Sequence, residues 1–162
     1  MVIWILGLSG SGKTTLAKLI NKNLKKKKFL HIDGDLVRKI YEKKLGHTIR
    51  DRLINAKRIS RLVKFLSDQN INIVVSVLSN FPKWLKWNRD NIKKYFEVYL
   101  NTNLKILKKR KPNLYSRKIK NVVGVDIKFN EPKNADMTIN NCNSMNDLSR
   151  ASKKIIKKIK FN

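Results

Sequence analysis

Acidic residues are scarce in this chain, and cysteine is scarcer still. Eleven aspartates and glutamates face 38 lysines and arginines among 162 residues, which leaves a formal net charge of +27. The single cysteine, Cys142, allows no internal disulfide bond and favours a reducing compartment. No apolar stretch approaches the ~20 residues that a membrane-spanning helix needs. The apolar start lacks the basic region of a signal peptide, so we expect a soluble, cytoplasmic protein with no membrane partner.

The excess of positive charge raises the question of nucleic-acid binding. The basic residues form short runs at residues 25–28, 108–111 and 153–160, and the chain is also rich in asparagine and isoleucine. This pattern is typical of a compositional bias in which lysine fills the surface. The sequence has no recognition-helix signature, no RNP-type motif and no zinc-ligand spacing. We therefore expect no specific binding of nucleic acid, and a basic surface that attracts anionic nucleotides.

The stretch GLSGSGKTT, residues 7–15, has the spacing of a phosphate-binding loop. Its glycines let backbone N–H groups surround a phosphate, and the helix that follows adds its positive dipole end. Lys13 can reach the β- and γ-phosphates, and the Thr14 hydroxyl can bind Mg²⁺. A strand-like run before the loop and helical spacing after it supply the required context. We predict that ATP contacts Gly7, Ser9, Gly10, Ser11, Gly12, Lys13, Thr14 and Thr15.

Strand-like apolar runs alternate with helical patterns along the chain, which predicts an α/β fold with a parallel sheet flanked by helices. The predicted strands are residues 2–6, 29–32, 73–78, 96–100 and 137–139. The predicted helices are residues 13–26, 35–44, 51–69, 83–95, 103–110 and 146–160. Residues 111–135 show little periodicity and hold two of the three prolines, so we predict a lid or binding loop there. The length predicts a single domain over residues 1–162.

Two aspartates separated by one glycine follow the second predicted strand. Asp33 and Asp35 are expected at the carboxyl end of the parallel sheet, where ligands bind in open α/β folds. Carboxylates there can hold a hydrated Mg²⁺ and take a proton from an attacking hydroxyl. Asp35 could also be a helix N-cap, a role that is compatible with catalysis. We therefore predict a functional role for the pair.

Basic side chains follow these aspartates at helical spacing. Arg38 lies on the next helix, and Arg52, Asn55 and Arg58 recur every three residues, near one face of a later helix. Arginine forks suit anionic oxygens, although an ordinary solvated helix face is the alternative. The segment KNVVGVD, residues 120–126, could close over a ligand or be an ordinary surface loop.

Together, and in this order, these motifs resemble the adenylylsulfate kinase family. The resemblance runs from GLSGSGKTT through HIDGDLVR and GHTIRDRLINAKRI to IKNVVGVDIKFNEPKNADMTINN, about residues 2–141. It implies a three-layer phosphate-loop kinase fold with a lid over about residues 111–135. It also implies an enzyme that uses ATP and Mg²⁺ to phosphorylate the ribose 3′-hydroxyl of a nucleotide. Family members are often dimers, and the sequence leaves a homodimer open.

The resemblance implies a role for individual residues as well. Asp33 is the expected general base, with Lys13 as the catalytic cation on the transferring phosphate. Asp35 is expected to hold Mg²⁺ and its waters together with Thr14. Arg110 is expected to stack on the adenine of ATP. The acceptor is expected to contact Asp35, Arg38, Arg52, Asn55, Ser79, Lys120 and Val123.

Ser79 falls where the family has a serine that is sometimes labelled a phosphoserine intermediate. No activating base is evident beside Ser79 in the sequence, and direct in-line transfer needs no covalent step. We therefore expect packing or substrate contact at this position. After this serine the family has proline, an aromatic residue and arginine, whereas this chain has Asn80, Phe81 and Pro82.

The acceptor's base pocket departs most from the family pattern. The family brackets the acceptor's adenine between two phenylalanines, which fall here at His47 and at Val122 or Val123. The lid also lacks several residues between Arg117 and Ile119. A capsule-locus branch of the family, whose acceptor is cytidine diphosphoramidate, closely resembles this chain. That acceptor is therefore expected first and adenylylsulfate second. A kinase of a small non-nucleotide metabolite and a non-enzymatic nucleotide or nucleic-acid binding module are the remaining alternatives.

Overall fold

A computed structural model describes residues 1–24, 29–40, 45–79, 81–116, 119–140 and 144–159. Outside these residues lie Cys142, Asn80, Arg117 and the ends of three predicted helices, at residues 25–26, 41–44 and 160. No helix in the described part of the chain is long and apolar enough to cross a membrane.

Parallel strands form one sheet in the order β2-β3-β1-β4-β5 across the described residues. The strands are β1 (Val2–Leu6), β2 (Leu30–Asp33), β3 (Ile73–Val77), β4 (Tyr95–Asn101) and β5 (Met137–Asn140). The central strands β1 and β3 are buried at every position, as the near-continuous apolar runs of a doubly covered parallel strand require. All five predicted strands are confirmed, with ends that differ by at most one residue.

The helices of the described residues lie between these strands and after the last one. They are α1 (Lys13–Asn23), α2 (Gly34–Lys39), α3 (Ile49–Asp68), α4 (Pro82–Asn91), α5 (Leu104–Arg110), α6 (Pro112–Tyr115) and α7 (Met145–Lys158). The prediction that a helix runs to residue 95 is wrong, because α4 ends at Asn91 and Tyr95 pairs with Val2 of β1. The prediction also missed α6, which begins with Pro112 at its first position inside the expected lid.

Apolar side chains cover both faces of the sheet. Ile3 and Ile5 of β1 belong to one buried cluster with residues of α1 and α7, whereas Trp4 and Leu6 belong to another with residues of α3 and α4. This alternation follows from the two-residue period of a strand. The predicted three-layer α/β architecture is therefore confirmed. All strands point the same way, so the segments after β1, β2 and β3 meet at one edge of the sheet.

Candidate active site

The phosphate loop follows β1 and leads directly into α1. Gly7 is buried, and a Cβ atom added to it would lie 2.5 Å from the carbonyl oxygen of Leu100, a contact that only glycine avoids. Gly12 caps α1 with φ 99°, in the left-handed region that favours glycine. No acidic residue lies in the first turn of α1. The positive end of this helix is therefore available to an anion.

Lys13, the first residue of α1, folds back over the loop. Its Nζ donates a hydrogen bond of 2.8 Å to the carbonyl oxygen of Leu8. Burial lowers the pKa of Lys13 to about 8; Asp35 and Asp33 oppose this shift and the positive charge of Lys111 adds to it. A bound phosphate would favour the charged form of this amine.

Asp33 ends β2 and receives hydrogen bonds from three groups. Its Oδ2 accepts from the hydroxyls of Thr14 and Ser76, each at 2.9 Å, and its Oδ1 accepts from the backbone N–H of Asp35 at 2.9 Å. Burial alone would raise the pKa of Asp33, but these hydrogen bonds together lower it below its usual value. The carboxylate is therefore charged at neutral pH. The alternative that Asp35 is the N-cap of α2 is wrong, because Asp33 fills that position.

The side chains of Thr14 and Asp35, which lie beside Asp33, fit a magnesium ion. All three line one cavity, and Thr14 and Asp33 are in direct hydrogen-bond contact. Mg²⁺ in nucleotide sites usually takes one or two carboxylates, with phosphates and waters completing its octahedron. An ion held by Thr14 and Asp35 would neutralise charge on the donor's phosphates.

Two arginines line the same cavity from α2 and α3. Arg38 Nη1 donates to the carbonyl oxygen of Gly46. Arg52 donates from Nε to the carbonyl oxygen of His47 at 2.9 Å and from Nη2 to that of Asn121 at 3.0 Å, which ties α3 to the predicted lid. Burial lowers the pKa of Arg52, and the neighbouring charge of Arg38 lowers it further. Two half-buried cations that repel each other suit an anionic ligand.

Asn55 and Ser79 are two of the buried polar residues of this region. Asn55 Nδ2 donates 3.1 Å to the carbonyl oxygen of Gly34, which fastens α3 to the turn between the two aspartates. Its Oδ1 is buried and has no hydrogen-bond partner among the described residues. Ser79, two residues after the end of β3, is only 4% exposed. Both side chains line the cavity.

A cavity of about 890 Å³ brings most of the predicted site residues together. Its volume is within the range of small-molecule sites. The predicted residues that line it are Ser9, Gly10, Gly12, Lys13, Thr14, Thr15, Asp33, Asp35, Arg38, Arg52, Asn55, Ser79, Lys120 and Val123. The predicted ATP contacts Gly7 and Ser11 are buried outside this lining, and Arg58 is also not part of it. Arg110 is exposed and outside it too, with Nη1 3.4 Å from the carbonyl oxygen of Gly10.

A family model for adenylylsulphate kinase matches residues 1–140 of this chain. The chain belongs to the adenylylsulphate kinase family. It is a kinase, as the phosphate-loop and acceptor motifs predict. The match spans the phosphate loop, both aspartates, the arginines and the lid. It is therefore far more specific than a match to the phosphate loop alone would be.

This member of the adenylylsulphate kinase family is similar to two kinases that are named after different acceptors. It is 36% identical to the cytidine diphosphoramidate kinase of Campylobacter jejuni, over 98% of this chain and 95% of that one. It is 35% identical to a probable adenylyl-sulfate kinase of Archaeoglobus fulgidus, over 85% of this chain and 94% of that one. Its fold matches the APS kinase of Mycobacterium tuberculosis in complex with AMPPNP and APS, with a TM-score of 0.84, 29% identity and coverage of 96% and 95%.

Three residues of this adenylylsulphate kinase family member's site were missed by the sequence reasoning. Ser76 donates to Asp33 and also lies 2.9 Å from Nε2 of His31. The signal for it was a lone hydroxyl in the buried run IVVSV. Tyr115 donates from its phenol to the carbonyl oxygen of Ser9 at 2.6 Å, and Lys111 lines the cavity. Neither had a local signal, because both contacts join segments about a hundred residues apart.

Proposed function

We propose that this kinase transfers the γ-phosphate of ATP to the ribose 3′-hydroxyl of cytidine diphosphoramidate, a step of capsule phosphoramidate biosynthesis. The observation that carries the proposal is the lining of the cavity by His47, Val122 and Val123. These are the positions at which the family resemblance expects two phenylalanines around an adenine. The 36% identity to a cytidine diphosphoramidate kinase supports the same acceptor.

On the donor side, the phosphate loop would hold the triphosphate of ATP. Lys13 would leave the carbonyl oxygen of Leu8 and bind the transferring phosphate, because a full negative charge competes better for an ammonium than a neutral carbonyl does. Thr14 and Asp35 would hold Mg²⁺ in the same cavity. Arg110 beside Gly10 would contact the adenine.

The proton of the acceptor's hydroxyl would pass to Asp33. The ribose 3′-oxygen would attack the γ-phosphorus while the bond between that phosphorus and the oxygen of the departing ADP breaks. Asp33 is ionised and half-buried, so it can accept the proton, although its hydrogen bonds make it a weak base. Positioning and charge stabilisation would therefore supply most of the rate.

The acceptor's anionic end would lie on the arginine side of the cavity. Arg38 and Arg52 would bind the diphosphoramidate, with Lys120 closing from the lid and Ser79 and the unpartnered Oδ1 of Asn55 offering polar contacts. These cations argue against a neutral sugar or metabolite as acceptor, because binding one would leave two half-buried charges unpaired.

The altered base pocket favours a pyrimidine over adenine. Val122 and Val123 are 5% and 2% exposed, so they offer an aliphatic wall and no aromatic face. His47 is largely exposed, but the partial burial of its ring and the charges of Arg38 and Arg52 lower its pKa, so the ring is neutral at neutral pH. A cytosine offers less stacking surface than adenine and would lose less from the missing rings.

Adenylylsulfate is the second candidate acceptor. It is favoured by the family match, by the 35% identity to a probable adenylyl-sulfate kinase and by the likeness to an APS kinase in complex with APS. Its sulfate group could use the same two arginines. The two candidates therefore differ mainly in the base.

An acceptor panel tests the proposal. The wild-type chain is supplied with MgATP and, in separate reactions, cytidine diphosphoramidate, adenylylsulfate, shikimate and gluconate. We expect ADP formation only with the nucleotides, fastest with the cytidine compound, and a product whose new phosphate is on the 3′-oxygen by phosphorus NMR. Transfer to shikimate or gluconate, or binding of ATP with no transfer to any acceptor, would contradict it.

A single substitution sharpens this test of the base pocket. His47→Phe replaces the imidazole with the larger phenyl ring of the family pattern at an exposed position, whereas a phenylalanine at the buried Val123 would overpack its surroundings. The variant should shift the ratio of activities towards adenylylsulfate by up to about tenfold, because a full stacking contact is worth roughly 1–3 kcal/mol and the imidazole already supplies part of it.

A further inference from the structure

Lys111 lies at the junction of α5 and α6, where its backbone is held on both sides. Its N–H donates to the carbonyl oxygen of Leu107 at 2.8 Å, which closes α5. Its own carbonyl oxygen accepts from the N–H groups of Leu114 and Tyr115, each at 3.2 Å, which opens α6. The backbone of Lys111 is therefore fixed, whereas its side chain is exposed.

The stem of the Lys111 side chain lies over the phosphate loop. A Cβ atom added to Gly10 would be 3.4 Å from Cγ and 3.6 Å from Cδ of Lys111. Lys111 lines the same cavity as Lys13, and the two positive charges are close enough to repel each other. None of the ion pairs among the described residues includes Lys111. Two lysines therefore share one loop, and a phosphate would relieve their repulsion.

Neighbouring residues anchor this segment to the loop. The buried Tyr115 donates to the carbonyl oxygen of Ser9 at 2.6 Å, and Arg110 Nη1 lies 3.4 Å from that of Gly10. Both contacts use carbonyl oxygens of the phosphate loop and occupy none of its N–H groups. Arg110 and Tyr115 contact the loop from positions before and after Lys111 in the chain. The fold therefore holds Lys111 close to the phosphate loop.

We propose that Lys111 is a second phosphate-binding lysine of the donor site, which contacts the β- and γ-phosphates of ATP from the α5–α6 junction. The proposal rests on the proposed function, because it assigns a further residue to that site's donor half. Charge develops on the oxygens around the γ-phosphorus during transfer, and a cation supplied by a second segment stabilises it. Lys13 and Lys111 would then neutralise the triphosphate together.

Nucleotide binding without acceptor tests this role. Four proteins are compared: wild type, Lys111→Ala, Lys111→Arg and Lys109→Ala, which removes an exposed lysine of α5 that does not line the cavity. The probes are Mg²⁺ with AMPPNP, which carries all three phosphates, and AMP, which carries only the α-phosphate. Lys111→Ala should weaken AMPPNP binding roughly ten- to hundredfold, the value of one charged hydrogen bond, and leave AMP binding unchanged. Lys111→Arg should recover most of the loss, and Lys109→Ala should match wild type.

Other results would overturn the assignment. Unchanged AMPPNP binding in Lys111→Ala would show that the side chain meets no phosphate. Equal losses for AMPPNP and AMP, or a similar loss in Lys109→Ala, would point to a structural or general electrostatic effect instead. The comparison needs no acceptor, so a wild-type chain that binds AMPPNP but phosphorylates no nucleotide contradicts only the proposed function. A wild-type chain that binds no AMPPNP overturns both.

Discussion

The Thr14 hydroxyl and the Asp33 carboxylate are joined by a hydrogen bond of 2.9 Å between Oγ1 and Oδ2. This bond connects the first turn of α1, which directly follows the phosphate loop, to the end of β2. Ser76 of β3 donates to the same oxygen at 2.9 Å. One carboxylate oxygen therefore links three elements at the edge of the sheet, between the predicted donor and acceptor halves of the cavity.

Asp33→Asn tests the proposed base at this junction. The substitution keeps the shape of the side chain but removes its charge and its ability to take the substrate's proton. We expect kcat to fall by roughly 10² or more, with little change in the Kd of MgATP. Steady-state rates and nucleotide titration on the same preparation would decide. If the loss appears only in MgATP affinity, Asp33 is a metal-site residue and the base lies elsewhere.

The lowered pKa of Lys13 predicts a pH dependence of nucleotide binding. The amine binds phosphate in its charged form. Protonation of Lys13 is complete well below its pKa of about 8 and is lost as the pH rises through that value. MgATP affinity should therefore be nearly constant from about pH 6 to 7 and roughly tenfold weaker near pH 9, one unit above the pKa. Calorimetric titration at several pH values would measure this.

Lys13→Ala is the control for that profile. Its turnover should fall by several orders of magnitude, because the transferring phosphate loses its nearest cation. Its residual nucleotide affinity should no longer change between about pH 7 and 9. A wild-type affinity that is constant over this range would contradict the role given to Lys13.

Arg52→Ala tests the anionic end of the acceptor. The variant should lose about 1.5–3 kcal/mol of acceptor binding, seen as a raised acceptor KM, while the Kd of MgATP is unchanged. Arg50 is a matched control, since it is an exposed arginine of the same helix that does not line the cavity. If Arg52→Ala and Arg50→Ala raise the acceptor KM equally, Arg52 makes no specific contact with the acceptor and acts only through the protein's overall positive charge.

Away from the cavity, a buried ion pair connects α4 to β4. Glu97 is fully buried, and its Oε2 accepts hydrogen bonds from Arg89 at 2.5 Å and from Tyr95 at 3.0 Å. Burial raises the pKa of Glu97, and Arg89 and Tyr95 partly oppose this shift. Arg89→Ala would leave a buried carboxylate without its cation, at a cost of about 3 kcal/mol in the free energy of unfolding.

The pH dependence of that loss follows from the direction of the Glu97 shift. A carboxyl group whose pKa is higher in the folded state destabilises the fold as the pH rises above its unfolded value of 4.5. Without Arg89 the folded pKa rises further. The stability deficit of Arg89→Ala relative to wild type should therefore be smaller near about pH 5 than near 8, in urea unfolding curves. A deficit that is independent of pH would contradict this account.

The sequence predicted the sheet well because its signals are local. Short apolar runs rich in β-branched residues, such as residues 2–6 and 73–78, favour buried strands, and GLSGSGKTT requires the strand and helix that surround it. The aspartates and arginines could be assigned to one site because the carboxyl ends of parallel strands meet at one edge. Element ends were less certain, as with Tyr95, whose strand pairing with Val2 decides its conformation.

Contacts between distant segments had no comparable signal. Lys111 and Tyr115 lie on the phosphate loop because α5 and α6 pack there, which no local pattern near residue 111 predicts. The burial of Glu97 depends on Arg89 reaching it from another element. Arg110 was expected at the adenine by resemblance, but its side chain lies beside Gly10 outside the cavity lining, and its proposed contact with adenine remains a prediction.

The most direct test of the proposed acceptor is a competition in one reaction. Wild-type chain receives saturating MgATP with equal, limiting concentrations of cytidine diphosphoramidate and adenylylsulfate, so the ratio of initial product yields equals the ratio of the two kcat/KM values. The phenylalanine replaced by valine should cost the adenine acceptor about 1–3 kcal/mol, and the smaller imidazole of His47 should cost part of a second contact, which predicts a preference of roughly 10- to 10²-fold for the cytidine compound. Equal yields, or an excess of phosphorylated adenylylsulfate, would contradict the proposal and identify this chain as an adenylylsulfate kinase by activity.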